Sequence, residues 1–138
     1  MTTETDLRTR WDCLRAQVEV AHTLTERYAT NGCPLRALYT HPDFSGPELL
    51  RALDALVAAG IARVQWFGGW ARLDESPLVF RRVDLLAARC HLARLRWSVT
   101  GLTDPEGLYA EGTAACVGEV ARLEGELAAE EARARAPT

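Results

Sequence analysis

The segment "SGPELLRALDALVAAGIARVQWFGGWARL", residues 45–73, constrains the fold more than any other part of the chain. Ser45 and Glu48 have the spacing of a capping box, in which each residue's side chain binds the backbone N–H of the other. Apolar residues then recur at helical spacing until Gly60, a residue type that commonly ends helices. We therefore predict a helix over 45–59. Its inward face is predicted to consist of Leu50, Leu53, Leu56 and Val57.

Two strands follow this helix and are predicted to form a β-hairpin over 61–73. Gly68-Gly69 is typical of a two-residue turn and would pair Phe67 with Trp70. Because strand side chains alternate, the core side would carry Val64, Trp66, Ala71 and Leu73. The other side would carry Arg63 and Arg72, with Phe67 and Trp70 at the tip. These two aromatic residues form either a contact surface or a patch buried by other helices or a second subunit.

Long helices are predicted on both sides of this segment. An apolar stripe at helical spacing predicts an N-terminal helix over 6–30, which Asn31-Gly32 would end. A short helix beginning at Pro34 opens the central part, residues 34–75. The chain has 138 residues, enough for one domain. We expect a mainly α fold with one β-hairpin.

The C-terminal part, residues 77–134, is predicted to form two further helices. Ser76-Pro77 is a typical helix start, and apolar residues lie on several sides of the first of these helices, so more than one neighbour should cover it. Glycines at 112, 118 and 125 weaken the last helix in isolation, which favours packing against something. We therefore expect a dimer interface here. An arginine ridge, Arg82, Arg89 and Arg96, fits a solvated face or a partner for the acidic last helix better than a nucleic-acid stripe.

The charge distribution is uneven along the chain. The net charge is −3, and all 16 basic residues are arginine. Residues 33–100 contain nine arginines and six acidic residues, whereas residues 101–138 contain three arginines and eight acidic residues. This balance argues against indiscriminate nucleic-acid binding but permits a local anionic partner. The sequence contains no apolar run of the roughly 20 residues that a membrane span needs and no signal-peptide segment, so we expect a cytoplasmic protein.

Few residues indicate chemistry. The four cysteines form no C-x-x-C pair and are interpreted as buried, reduced thiols. Cys90 and His91 are adjacent on a helix and point about 100° apart, so they cannot readily bind one metal ion. The sequence has no G-x-S-x-G, H-E-x-x-H or phosphate-binding glycine loop. We expect no enzymatic activity, metal or cofactor.

The order of helix, short helix, capped helix and hairpin resembles the winged helix-turn-helix module of bacterial transcription regulators. The resemblance lies in "PLRALYTHPDFSGPELLRALDALVAAGIARVQWFGGWARL". The flanking helices are similar to the dimerisation helices of MarR-, PadR- and ArsR-type regulators. The resemblance implies a homodimer that binds double-stranded DNA at a roughly palindromic site. The helix over 45–59 would enter the major groove and the hairpin, or wing, would touch the flanking backbone.

The resemblance also implies roles for four residues. Arg51 would contact a guanine edge or a phosphate. Ser45, together with the N-terminus of its helix, would hold one phosphate. Arg63 and Arg72 would be the phosphate contacts of the wing.

The aromatic residues support two alternatives. Phe67 and Trp70 are unusual on a wing and fit a protein, ligand or single-strand contact. One alternative is therefore a winged-helix scaffold that acts as an adaptor or inhibitor through its hairpin tip. A weaker alternative is a regulator with a ligand pocket between Trp11, Trp97 and Tyr109, although these residues could equally belong to the core.

Overall fold

The computed structural model describes residues 3–26, 32–100, 103 and 106–136. The elements run in the order α1 (Glu4–Glu26), β1 (Cys33–Pro34), α2 (Leu35–Leu38), α3 (Gly46–Ala58), β2 (Ala62–Gln65), β3 (Trp70–Leu73), α4 (Val79–Ser98) and α5 (Leu108–Arg135). The mainly helical fold is thus confirmed, but the predicted hairpin is part of a three-stranded antiparallel sheet, because the two-residue strand β1 also pairs with β3. Pro34 belongs to β1, so the short helix begins one residue later than predicted, at Leu35. The predicted end of the first helix, at 27–31, and the predicted start of the last one, at Pro105, lie outside the described residues. Within those residues, no helix is both long and apolar enough to cross a membrane.

The capping box at the start of α3 is confirmed. The Ser45 hydroxyl accepts a hydrogen bond from the backbone N–H of Glu48 at 3.3 Å, and the Glu48 carboxylate accepts one from the backbone N–H of Ser45 at 3.2 Å. Phe44 and Leu49, which flank the cap at the positions of a hydrophobic staple, are both buried. At the other end Gly60 takes a φ of 73°, which favours glycine. Local sequence therefore fixes both ends of α3.

The predicted inward face of α3 is wrong at two positions. Its buried residues are Leu49, Ala52, Leu53 and Leu56. Leu50 and Val57 remain 40% and 42% exposed. Leu49 and Leu50 are adjacent, so each begins a different apolar stripe, and the two stripes lie about 100° apart on the helix. The buried stripe is the one that contains Leu49 and the small Ala52. Burial of Leu49 beside the cap, in the same core as Phe44, selects this stripe.

The hairpin has a longer turn than predicted. β3 lies between β1 and β2, and both neighbours are antiparallel to it. Gln65 pairs with Trp70, so four residues, 66–69, form the turn. A two-residue turn of the type I′ kind needs positive φ at both central residues, and of the two glycines only Gly69 has it. Gly68 is required for space, because a Cβ there would lie 2.7 Å from the Gln65 side chain.

The observed register differs from the predicted one by two residues. Because side chains alternate with a period of two, the strand residues keep the faces predicted for them. Val64, Ala71 and Leu73 lie on the core side as predicted. Trp66 does not, because it belongs to the turn, where its side chain is 50% exposed.

Helices α1 and α3 enclose the main core together with the sheet and the first part of α4. A second, smaller cluster joins α4 to α5 and is centred on Leu85, Leu92 and Val120. α4 contributes to both clusters, which confirms that more than one neighbour covers it.

Two residues of the arginine ridge, Arg82 and Arg89, form ion pairs with α5. For these two residues the prediction of a partner for the acidic last helix is confirmed. Arg89 lies 3.1 Å from Glu124, and Arg82 lies 3.5 Å from Glu131.

Candidate nucleic-acid interface

The outer face of α3 combines polar and apolar side chains. Its exposed residues are Pro47, Leu50, Arg51, Asp54, Val57 and Ala58. Arg51 is the sole basic residue of α3, and within the described ranges no carboxylate lies at ion-pair distance from it. Its guanidinium is thus available to an external acceptor, as the predicted base or phosphate contact requires. Asp54, one turn away, would oppose a polyanion.

The N-terminus of α3 is occupied by its own carboxylate. The Ser45 hydroxyl donates to Glu48 Oε1 at 2.9 Å, and the Ser45 backbone N–H donates to the same oxygen. These hydrogen bonds, the backbone one first, lower the pKa of Glu48 because they stabilise its ionised carboxylate. The donors predicted to hold a phosphate at Ser45 therefore already hold Glu48.

A groove of about 380 Å³ runs beside this helix end, between α1 and α3. It is lined by Thr9, Asp12, Cys13, Ala16, Gln17, Ser45, Glu48, Arg51 and Ala52. Besides Arg51, the groove contains two carboxylates, Asp12, which pairs with Arg8 and Arg15 of α1, and Glu48. The groove itself is therefore a poor site for a polyanion, and the solvent side of Arg51 is the better one.

The two wing arginines lie directly opposite each other, because Arg63 pairs with Arg72 in the β-ladder. Both guanidinium groups reach Glu75, which follows β3. Arg72 Nη2 lies 2.8 Å from Glu75 Oε1, and Arg63 Nη1 lies 3.4 Å from Glu75 Oε2. The two arginines predicted to contact phosphate therefore both bind the side chain of Glu75. Glu75 was not expected from the sequence.

The aromatic tip differs from the predicted pair. Phe67 is fully exposed and lies next to the half-exposed Trp66. Trp70 is half-buried within β3, and the Arg72 guanidinium lies 5.2 Å from its ring centroid in a cation–π contact. Trp66 and Phe67 therefore form the tip, whereas Trp70 supports the strand. The four-residue turn is the reason for this difference.

Arg82 connects three parts of the structure, a role that its place in a helical ridge did not reveal. Its Nη1 donates to the carbonyl of Gly60, just after α3, at 2.8 Å. The same guanidinium lies 3.7 Å from Asp74 and 3.5 Å from Glu131. A Cβ at Gly60 would lie 2.9 Å from Arg82 Nη1, so a larger residue there would displace this guanidinium in addition to straining the positive φ. Arg82 therefore ties the end of α3 and the base of the hairpin to α5.

The alternative ligand pocket is filled by its own aromatic rings. Trp11 and Trp97 stack with ring centroids 4.9 Å apart, which leaves no room for a ligand between them. The Arg8 guanidinium covers the Trp97 ring at 4.7 Å. Tyr109 lies on α5 and is half exposed. These tryptophans therefore fasten α1 to α4 and are part of the packing.

The cysteines differ in their surroundings. Cys33 is completely buried, as predicted, whereas Cys13 is exposed, so the expectation of a buried thiol there is wrong. Cys13 lies on the same side of α1 as the buried Ala16, Val20 and Leu24, but it lines the groove between α1 and α3, which leaves it exposed. Burial raises the pKa of the Cys90 thiol and so disfavours its thiolate. Across the described parts of the chain, no three metal-binding side chains of the His, Cys, Asp or Glu type converge.

The chain matches no protein-family model, no curated protein and no solved structure. The resemblance to winged helix-turn-helix regulators therefore depends on the order of the elements and on the residues displayed by α3 and the hairpin.

Proposed function

We propose that the protein is a non-enzymatic, dimeric transcription regulator that binds double-stranded DNA. One observation carries this proposal: the short helix α2, the capped helix α3 with a solvent-exposed face, and the hairpin follow one another in the order typical of a winged helix-turn-helix module. In the proposed complex α3 lies in the major groove, with Arg51 towards the bases. The hairpin lies along the flanking backbone with Arg63 and Arg72 towards phosphates.

The roles of Arg51 and Arg72 predict different losses of DNA binding. Arg72→Ala should weaken binding to all sequences and reduce the slope of log affinity against log salt by about 1, because it removes a phosphate contact. Arg51→Ala should cost about 1–3 kcal/mol at the preferred site and relax specificity at one base pair. Fluorescence anisotropy with matched and mismatched duplexes measures both effects. Arg94→Ala, an exposed arginine on α4, is the control. Unchanged affinity in both test variants would remove these residues from the interface.

The proposed homodimer uses the outer face of α5. This helix has 28 residues, of which only Val120 is buried within the described chain. One side of α5 carries small exposed residues at alternating spacings of four and three: Ala114, Gly118, Ala121, Gly125 and Ala128. Such spacing forms a continuous stripe along a helix, and small residues let two helices approach closely. The same helix of a second copy has a matching flat surface.

Leucine at Gly118 or Gly125 should therefore disrupt the dimer. A Cβ at either position meets nothing within 4 Å in the single chain, and leucine has a higher helix propensity than glycine, so the fold should persist. Sedimentation velocity should show a dimer for the unchanged protein and monomers for Gly118→Leu and Gly125→Leu. Gly112→Leu, equally exposed but off the stripe, should remain dimeric. An unchanged protein that is monomeric, or variants that stay dimeric, would contradict this interface.

The exposed tip favours a second candidate function, a protein-interaction module that acts as an adaptor or inhibitor. Phe67 is fully exposed at the end of the hairpin, and Trp66 beside it is half exposed. Large exposed aromatic side chains are typical of protein contact sites. Under this alternative, Phe67→Ala should abolish partner capture without changing the melting temperature. Under the DNA-binding proposal, the same variant should keep most of its affinity for DNA.

A further inference from the structure

Arg63, Arg72 and Glu75 form a compact charged cluster on the outer face of the hairpin. The two arginines occupy opposed positions on β2 and β3, and each binds a different oxygen of the Glu75 carboxylate. One carboxylate is thus held between two guanidinium groups. Paired arginines of this kind also match the geometry of phosphate oxygens.

A second carboxylate, that of Asp74, lies near this cluster but is closer to Arg82 than to Arg63. Asp74 lies 3.7 Å from Arg82, which is anchored on the Gly60 carbonyl, and is 4.0 Å from Arg63. Glu75 is therefore the closest acceptor for both wing arginines. Its side chain is 66% exposed, so it sits in water and can move away without opening the core.

We propose that Arg63 and Arg72 form a two-arginine phosphate site that Glu75 fills in the unbound protein. A phosphate group binds there by displacing the Glu75 carboxylate, which acts as an internal competitor. This inference rests on the proposed function in that it takes the phosphate to come from a DNA backbone. It goes beyond that function because it assigns the competitor and predicts that the competitor lowers non-specific affinity.

The energetics of exposed ion pairs make the exchange reversible. Such pairs are individually weak and are screened by salt, so Glu75 competes with a phosphate without blocking it permanently. A single phosphate arriving alone gains little over the carboxylate, since both groups are anionic. A duplex already held by α3 presents its phosphate at a high effective concentration and therefore displaces Glu75 more readily.

Inorganic phosphate tests the site without DNA. We would follow the Nε–Hε resonances of Arg63 and Arg72 by NMR during titration of the full-length protein. Glu75→Gln should respond at a phosphate concentration about three- to tenfold lower than the unchanged protein, the range expected for releasing weak surface pairs. Glu111→Gln on α5, which makes the same change of charge elsewhere, should behave like the unchanged protein. Equal responses in all three proteins would overturn the inference.

A parallel titration with a random-sequence duplex separates the inference from the proposed function. Glu75→Gln should bind duplex about three- to tenfold more tightly than Glu111→Gln at low salt. In the Arg63→Gln/Arg72→Gln background, Glu75→Gln should have no such effect, and an equal gain there would overturn the inference as a general charge effect. If the phosphate titration behaves as expected while no variant binds duplex, the site stands and the proposed function fails. Thermal melting of each variant verifies that it is folded.

Discussion

Leu49→Ala should lower the free energy of unfolding by about 2–5 kcal/mol, the range measured for buried leucines. The same substitution at Leu50 should cost about 1 kcal/mol or less. Leu49 is almost fully buried in the main core, whereas its neighbour is 40% exposed on the outer face of α3. Urea unfolding followed by circular dichroism measures both values, and similar m-values would show that they are comparable.

This pair of variants tests the rotation of α3 about its axis, because adjacent residues of a helix point about 100° apart. The two substitutions remove the same atoms from neighbouring positions, so their difference reports burial alone. A larger loss at Leu50 than at Leu49 would contradict the structure. It would also mean that Arg51, the adjacent residue, points away from the proposed DNA-binding face.

Arg82→Met should destabilise the protein by about 1.5–3 kcal/mol, the usual loss for a hydrogen bond to a charged group. Methionine keeps an unbranched apolar stem but removes the donor to the Gly60 carbonyl and the ion pairs to Asp74 and Glu131. The side chain of Arg82 is only 19% exposed, so water replaces these contacts incompletely. Chemical unfolding provides the measurement.

Arg81→Met is the matched control for this prediction. Arg81 is the preceding residue on α4 and also pairs with α5, at 2.8 Å from Glu130, but its side chain is 53% exposed. Exposed ion pairs contribute about 0–1 kcal/mol, so this variant should lose much less stability than Arg82→Met. Equal losses in the two variants would show that Arg82 is an ordinary surface residue and does not anchor the end of α3.

The parts of the fold that the sequence predicts best are those set by neighbouring residues. The start of α3 depends on hydrogen bonds between Ser45 and Glu48, three residues apart, and its end depends on the φ of Gly60. Both signals are visible in a short window of sequence. Whether Leu49 or Leu50 is buried is not decided by neighbouring residues, because it depends on which side of α3 the rest of the core covers.

The residue types of the candidate site could be predicted from the sequence, but their arrangement in space could not. Arg63 and Arg72 were identified, yet the predicted two-residue turn would have placed Arg72 opposite Gln65. In the structure Arg72 lies opposite Arg63, which lets one carboxylate bridge the two. The register depends on the conformations of Gly68 and Gly69, and two adjacent glycines permit several turn types. The part played by Glu75 could therefore not be inferred before the register was known.

Binding to a labelled pool of random-sequence duplexes across a range of salt concentrations, followed by selection from that pool, tests the DNA-binding proposal most directly. We expect binding that weakens as salt rises. Selection should enrich a roughly palindromic site whose half-sites lie about one helical turn, or 10–10.5 base pairs, apart. A folded dimer that binds no duplex at low salt would contradict the proposal. The exposed Phe67 tip, and a protein partner for it, would then be the better account of this surface.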